Sequence, residues 1–434
     1  MASNLPAPVI FLPGIMGSTL RDEYPIGTEN VWSVAKAALK SYERITLHPD
    51  NLRYEVLEPA RVVKDQVFEL FYHEIIEELR YNLSPAPDQP VPVYPFAYDW
   101  RQPLVVTQAS LAAFVTEVIE RTSLMRHYFD AGYTAANGKV NLVGHSMGGV
   151  IIAGYVNDYG LDRVEKVVTL AAPFRGSIEA IAKTTLGGGG FSAASGGSRE
   201  REAARTTPAL YHLLPSYDGA VKPVKLDVYL PENWQQSIVR TLAAFVERYS
   251  LALKETDETK RSAEAEALAE ELLKKILDEA WDHRAGLEKL KLPDSKIWLA
   301  VVGVGEDTRL DVKITVDPKE GPSFELPDPS NEWKKQSSSE RTGDNTVPYR
   351  GARCAFIPPE QVVCLSADDF EFLEFGDKLL AHLGFHSALP NMNVAIRLTI
   401  SHLRGRPQGD IWGRCSPEIN AKDWDPPIPD LERK

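Results

Sequence analysis

Six short apolar, β-branched runs recur along the chain: "VIFL" (9–12), "VPVYPFAYDW" (91–100), "KVNLVG" (139–144), "VEKVVTLAA" (164–172), "IWLAVVGVG" (297–305) and "QVVCLS" (361–366). They are nearly continuous rather than alternating, which predicts strands buried on both faces of a sheet. Amphipathic stretches separate several of them: "VFELFYHEIIEELRYNL" (67–83), "TQASLAAFVTEVIERTSLM" (107–125) and "GVIIAGYVNDYG" (149–160). Strand alternating with helix implies a mostly parallel sheet with right-handed crossovers, an α/β fold flanked by helices.

The rhythm breaks twice. From 24 to 63 a short apolar helix pattern appears without a strong strand, which reads as a lid-like insertion over the sheet edge. From 176 to 293 the text opens with "LGGGGFSAASGGS", whose glycines favour a mobile loop, and ends in two charged amphipathic helices joined near Asp257. Their charges read as a solvated face, and the segment as a mainly helical cap able to gate a pocket. Residues 1–175 and 294–404 then form the core, closed by a terminal helix in "NMNVAIRLTISHL" (391–403). The proline-rich 405–434 reads as an irregular tail that wraps the core or stays partly disordered.

Composition narrows the function classes. The 434 residues are 43% hydrophobic and 25% charged, an ordinary globular balance. With 48 Lys and Arg against 61 Asp and Glu, the net charge of −13 repels a phosphate backbone and an anionic bilayer alike. Nucleic acid is therefore not an expected partner. No apolar run approaches the roughly 18 residues that a membrane span requires, and no leader pattern precedes "PVIFLPG", so stable membrane insertion is not expected and a cytoplasmic location is. Cys354, Cys364 and Cys415 read as buried or idle thiols, with a Cys354–Cys364 disulfide left open.

The chemistry gathers around Gly144-His145-Ser146-Met147-Gly148. This G-x-S-x-G follows an apolar run and precedes a helix pattern, the context a nucleophile elbow requires. Glycines at both ends admit a tight strand-to-helix turn, and the helix start aims free N–H groups at the serine. A serine hydroxyl needs a base within reach and an acid to orient that base, in the chain order Ser, Asp or Glu, His. Asp344 in "TGDNTVP" is favoured as the acid over Asp307 in "GVGEDT", because its turn precedes the last strand. His386, between the last strand and the last helix, is favoured as the base over His382 and His402. For the oxyanion, the N–H of Met147 follows the nucleophile, and "LPGIMGS" (12–18) offers the N–H of Ile15 between Gly14 and Gly17.

These blocks resemble the lecithin:cholesterol acyltransferase and lysosomal phospholipase family of α/β-hydrolases. The resemblance runs through "VIFLPGIMGSTL" (9–20), "YPFAYDWRQP" (94–103), "VNLVGHSMGG" (140–149), "LAAPFRGS" (170–177), "TTPALYHLLPS" (206–216), "VGVG" (302–305), "GDNTVP" (343–348) and His386. It implies a triad of Ser146, Asp344 and His386 with Ile15 and Met147 as the oxyanion hole, and cleavage of a lipid acyl ester with transfer to water or an alcohol. Asp99, Trp100 and Arg101 match the family's Tyr-Asp-Trp-Arg segment, where the residues themselves suggest a structural ion pair. The chain departs from the family in three places: 24–63 holds no cysteine for a disulfide-closed lid, Phe174-Arg175 replaces a common Trp-Gly, and the charged helices around 234–290 have no counterpart.

The expectation is a serine acyl-ester hydrolase of lipase or esterase type, with acyl transfer to alcohols as an added outcome and no metal or organic cofactor. A non-lipid ester such as a lactone or polyester is the alternative substrate. A non-catalytic hydrolase-fold binding protein is the alternative of another class, disfavoured by the intact Ser, Asp and His set.

Overall fold

The structure, a computed structural model, describes all residues except 1–4, 25–26, 34, 37–41, 43, 59, 188–197, 327–342 and 371–383. His382 and most of the glycine-rich segment lie outside the described residues.

All six apolar runs become strands of one parallel sheet: β1 (Val9–Leu12), β2 (Val93–Pro95), β3 (Val140–His145), β4 (Val164–Leu170), β5 (Trp298–Val304) and β6 (Val362–Ser366), ordered β6-β5-β4-β3-β1-β2. Pairing is parallel throughout, with Leu12 opposite Gly144, Gly144 opposite Thr169 and Val301 opposite Leu170. Every residue of β1 and β3 is buried, as continuous apolar strands demand.

The order explains where a site can form. The chain steps one way from β1 to β2, then crosses back over β1 to β3. Right-handed crossovers therefore place the connecting helices α1 (Glu69–Leu83) and α2 (Leu104–Ser123) on opposite faces. The loops after β1 and β3 diverge at this reversal and leave a crevice at the strands' carboxyl ends. Helix α1 buries Phe71, Tyr72, Ile75, Ile76, Leu79 and Leu83 as one stripe. It packs on the terminal helix (Asn393–Arg404), and α2 packs on α3 (Met147–Tyr159), the helix that follows β3.

Between β4 and β5 lie α4 (Ile178–Leu186), α5 (Ser198–Arg205), α6 (Gln236–Tyr249) and α7 (Glu258–Lys289). Asp257 caps α7 by accepting from Lys260 N at 3.1 Å. The stripe Ala265, Ala269, Leu272, Leu273, Ile276 and Ala280 is buried, and α7 packs on α6.

Two regions differ from the sequence reading. The 24–63 segment carries strands: Ser18–Asp22 pairs antiparallel with Asn30–Trp32 and Val62–Val67, and Leu47–His48 pairs with Asn51–Glu55. Their registers shift at bulges, which obscures the alternation a strand would show. An antiparallel pair, Val312–Asp317 with Gly321–Glu325, also follows β5. The tail lies across the sheet edge: Arg414 exchanges backbone hydrogen bonds with Cys364, and Trp424 and Ile428 are buried. Cys354, Cys364 and Cys415 are free thiols. Among the described residues no helix is long and apolar enough to cross a membrane.

Candidate active site

Ser146 stands at the turn from β3 into α3 with φ 53° and ψ −126°, a conformation that costs about 1–3 kcal/mol for a residue with a Cβ. The turn is held by Ser146 N donating to Leu170 O and Gly149 N donating to Ser146 O, both at 2.9 Å. The flanking glycines are steric requirements. A Cβ on Gly148 would lie 2.5 Å from Leu12 O, and one on Gly144 would lie 2.7 Å from Ile152 Cδ1.

The structure brings Ser146, His386 and Asp344 together from three distant segments. Ser146 Oγ lies 2.9 Å from His386 Nε2, and His386 Nδ1 lies 2.7 Å from Asp344 Oδ2. The second carboxylate oxygen, Asp344 Oδ1, accepts from Thr346 N at 3.0 Å and Val347 N at 2.6 Å. With Oδ1 taken by two backbone donors, Oδ2 accepts from the imidazole, which keeps its proton on Nδ1 and a lone pair facing the serine. His386 sits on a short helix, Phe385–Ala388, and its own N–H donates to Asp344 O at 3.0 Å. Asp344 is 1% exposed.

The rival residues lie elsewhere. Asp307 accepts Asn345 Nδ2 through its backbone carbonyl, while His386 Nδ1 is taken by Asp344. His402 is buried in the terminal helix with Nε2 3.1 Å from Ile297 O.

The loop after β1 is a turn in which Gly17 N donates to Gly14 O at 3.1 Å and Met16 adopts φ 63°. The Trp32 indole donates to Met16 O at 3.2 Å. Gly14 N is taken by the Tyr72 hydroxyl, whereas Ile15 N donates to none of the described residues. Met147 opens α3, so its N–H has no acceptor within the helix. Both N–H groups predicted for the oxyanion are thus unengaged beside the serine.

A cavity of about 170 Å³ opens onto these groups. Ile15, Met16, Trp32, Phe71, Leu210 and Leu213 give it apolar walls, and Ser146, His386 and Glu179 are among its polar lining. Lys183 of α4 also lines it, with an ammonium that makes no hydrogen bond or ion pair to the described residues. Burial lowers the Lys183 pKa, against the pull of Glu179 and Glu200. Sequence reasoning missed Lys183, although a lysine on the buried face of "IEAIAKTTL" is a readable signal. It also missed Tyr72, whose place in an apolar stripe is that of any core aromatic.

The sequence model of the lecithin:cholesterol acyltransferase family matches residues 55–355. The chain belongs to the lecithin:cholesterol acyltransferase family. The matched span includes Ser146 and Asp344, while Ile15 and His386 fall outside it and join the site through the fold. No curated protein sequence matches the chain. Among solved structures, the chain is similar to one from the crystal structure of the Tle4-Tli4 complex, with 17% identity over 80% of this chain and 89% of that chain and a TM-score of 0.55. That likeness shows the fold. It is also similar to the Bacillus licheniformis lipase BlEst2 in mature form, with 12% identity over 92% of each chain and a TM-score of 0.38.

Arg101, in the Tyr-Asp-Trp-Arg segment, is fully buried. Its guanidinium meets Asp99 at 2.8 Å and Glu55 at 2.6 Å and donates to Ile45 O at 3.1 Å. This ion pair ties the first insertion to the core, the structural role its residues suggest.

Proposed function

We propose that this family member is a serine-dependent acyl-ester hydrolase acting on lipid-like esters through an acyl-enzyme, with transfer to an alcohol as a competing outcome. Family membership supports acyl-ester chemistry. The observation that carries the serine mechanism is the contact of Ser146 Oγ with His386 Nε2 at 2.9 Å, facing an apolar cavity.

Ser146 Oγ attacks the ester carbonyl as His386 Nε2 takes its proton, and the imidazolium is stabilised by Asp344. The carbonyl oxygen becomes anionic and accepts from Ile15 N–H and Met147 N–H, donors worth about 3–4 kcal/mol each in such sites. His386 then protonates the departing alkoxide. Water or a second alcohol then attacks the acyl carbon while giving its proton to His386, the bond to Ser146 Oγ breaks, and His386 returns the proton to Oγ, releasing the acid or the new ester. Apolar walls suit an acyl chain, and the Lys183 ammonium, which makes no hydrogen bond to the described residues, supports an ester that also carries an anionic group such as a phosphodiester, Glu179 on the same wall being held by Arg309.

A fluorophosphonate probe and a panel of p-nitrophenyl esters, neutral acylglycerols and anionic phospholipids, each with and without added alcohol, test this reading. The expected result is labelling and turnover by the wild type, neither by Ser146→Ala, and preference for phospholipid over neutral acylglycerol. Equal labelling of both proteins overturns the assignment.

A further inference from the structure

The oxyanion loop and the imidazole loop come from opposite ends of the chain, yet one hydrogen-bonded path joins them. Gly14 N–H donates to the Tyr72 hydroxyl at 3.0 Å. Tyr72 Oη lies 2.9 Å from His145 Nδ1, and His145 Nε2 lies 3.0 Å from the carbonyl oxygen of His386. The two ends of this path dictate where its protons sit. A backbone carbonyl only accepts, so His145 Nε2 carries the hydrogen and Nδ1 of the neutral ring is an acceptor. Tyr72 must then donate to Nδ1, which leaves its oxygen free to accept from Gly14. Only this arrangement satisfies every group.

The surroundings enforce it. Tyr72 and His145 are 4% and 3% exposed, so no bulk water substitutes for a lost partner. A Cβ on Gly14 would lie 3.1 Å from Ser146 Cβ, 3.4 Å from His145 Nδ1 and 3.4 Å from Tyr72 Oη. A side chain there would press on Ser146, so the close approach favours glycine. The His145 and His386 rings stand 4.9 Å apart, so a second imidazolium there would oppose the protonation of His386 that the serine reaction requires. Burial, and next the neighbouring His386, hold the His145 pKa well below the usual imidazole range.

We propose that Tyr72 and His145 are positioning residues, a neutral relay that holds the oxyanion loop and His386 in register for reaction at Ser146. The inference rests on the serine mechanism proposed above. Neither side chain touches reacting atoms. Their effect is geometric, and a misplacement of about 1 Å in such a site costs about 100-fold in rate.

The test compares Tyr72→Phe, His145→Gln and His145→Leu with the wild type and Ser146→Ala, measuring kcat and KM on p-nitrophenyl butyrate together with thermal midpoints. Tyr72→Phe is expected to lower kcat roughly 10- to 100-fold with KM within about threefold, because it orphans Gly14 N–H and His145 Nδ1. His145→Gln offers an acceptor and a donor at a separation similar to that in imidazole, so it should exceed His145→Leu in kcat by about tenfold or more. Where Tyr72→Phe fails to fold, this His145 pair decides the matter. A kcat for folded Tyr72→Phe within twofold of the wild type, or equal kcat for His145→Gln and His145→Leu, overturns the relay. If the wild type turns over the ester and Ser146→Ala does not, the serine reading stands and the relay is judged alone. Absence of turnover in the wild type overturns both.

Discussion

Replacing Asp344 with asparagine probes the site at a point where geometry dictates the outcome. Asp344 Oδ1 accepts from Thr346 N and Val347 N at 3.0 and 2.6 Å, and Oδ2 meets His386 Nδ1 at 2.7 Å. The amide has two orientations. With its oxygen toward the two backbone donors, its NH2 faces His386 and forces Nδ1 to become an acceptor. The proton then moves to Nε2, where it points at Ser146 and removes the base. The flipped amide keeps the correct tautomer but sets NH2 against two buried N–H donors, at about 1–3 kcal/mol for each. The first orientation wins, so Asp344→Asn should keep its fold and lose kcat by about 10⁴, equivalent to roughly 5.5 kcal/mol of transition-state stabilisation. Steady-state kinetics on p-nitrophenyl butyrate, with the thermal midpoint measured beside them, provide the check. A variant retaining more than a tenth of wild-type kcat/KM at an unchanged midpoint would refute this reasoning, as would an equal loss in Asp307→Asn.

Two further outcomes concern stability. His402 is buried and His283 half-buried, with pKa values pushed down by desolvation to about 4 and about 3, and His212 is also held well below the usual range. The unfolded chain binds these protons near pH 6.5 and the folded one does not, so stability is complete above that pH and falls as the solution is acidified. Each of the first two histidines should cost about 2 kcal/mol by pH 5. Melting curves at pH 7.5 and 5 should show a drop that shrinks in His283→Gln; identical midpoints at both pH values would contradict the linkage. Arg101→Met strands the Asp99 and Glu55 carboxylates that its guanidinium meets at 2.8 and 2.6 Å, a loss of about 3–5 kcal/mol in urea unfolding. Arg101→Lys should recover little of it, since one ammonium lacks the fork that spans both acids. A change below about 1 kcal/mol in Arg101→Met would show that the pair is dispensable.

The central sheet was legible because each of its strands is a local event. "VIFL" and "VNLVGH" are buried on both faces, and a run without charged residues or strict alternation records that burial directly. The elbow was legible for a related reason: Gly144 and Gly148 stand where any Cβ would strike Ile152 or Leu12. The strands around the first insertion were not legible. Leu20 pairs with Trp32 and Lys64 across shifted registers, so their partners and their faces depend on distant residues. Lys183 stood in plain view as a cation in an apolar stripe, but what it faces depends on how α4 packs.

The sequence by itself determined the order of strands and helices, the tight turn that presents Ser146 and the family, because these depend on residue type over short spans. It also named Asp344 and His386, since chain order and turn chemistry leave few positions for an acid and a base. Only the tertiary structure decided that these groups meet: Ser146 and His386 are 240 positions apart, and the sheet order brings their loops to one edge. The same holds for the Gly14–Tyr72–His145–His386 path. Hydrogen bonds act over about 3 Å whatever the sequence separation, and no local pattern along the chain encodes which distant atoms folding will bring that close.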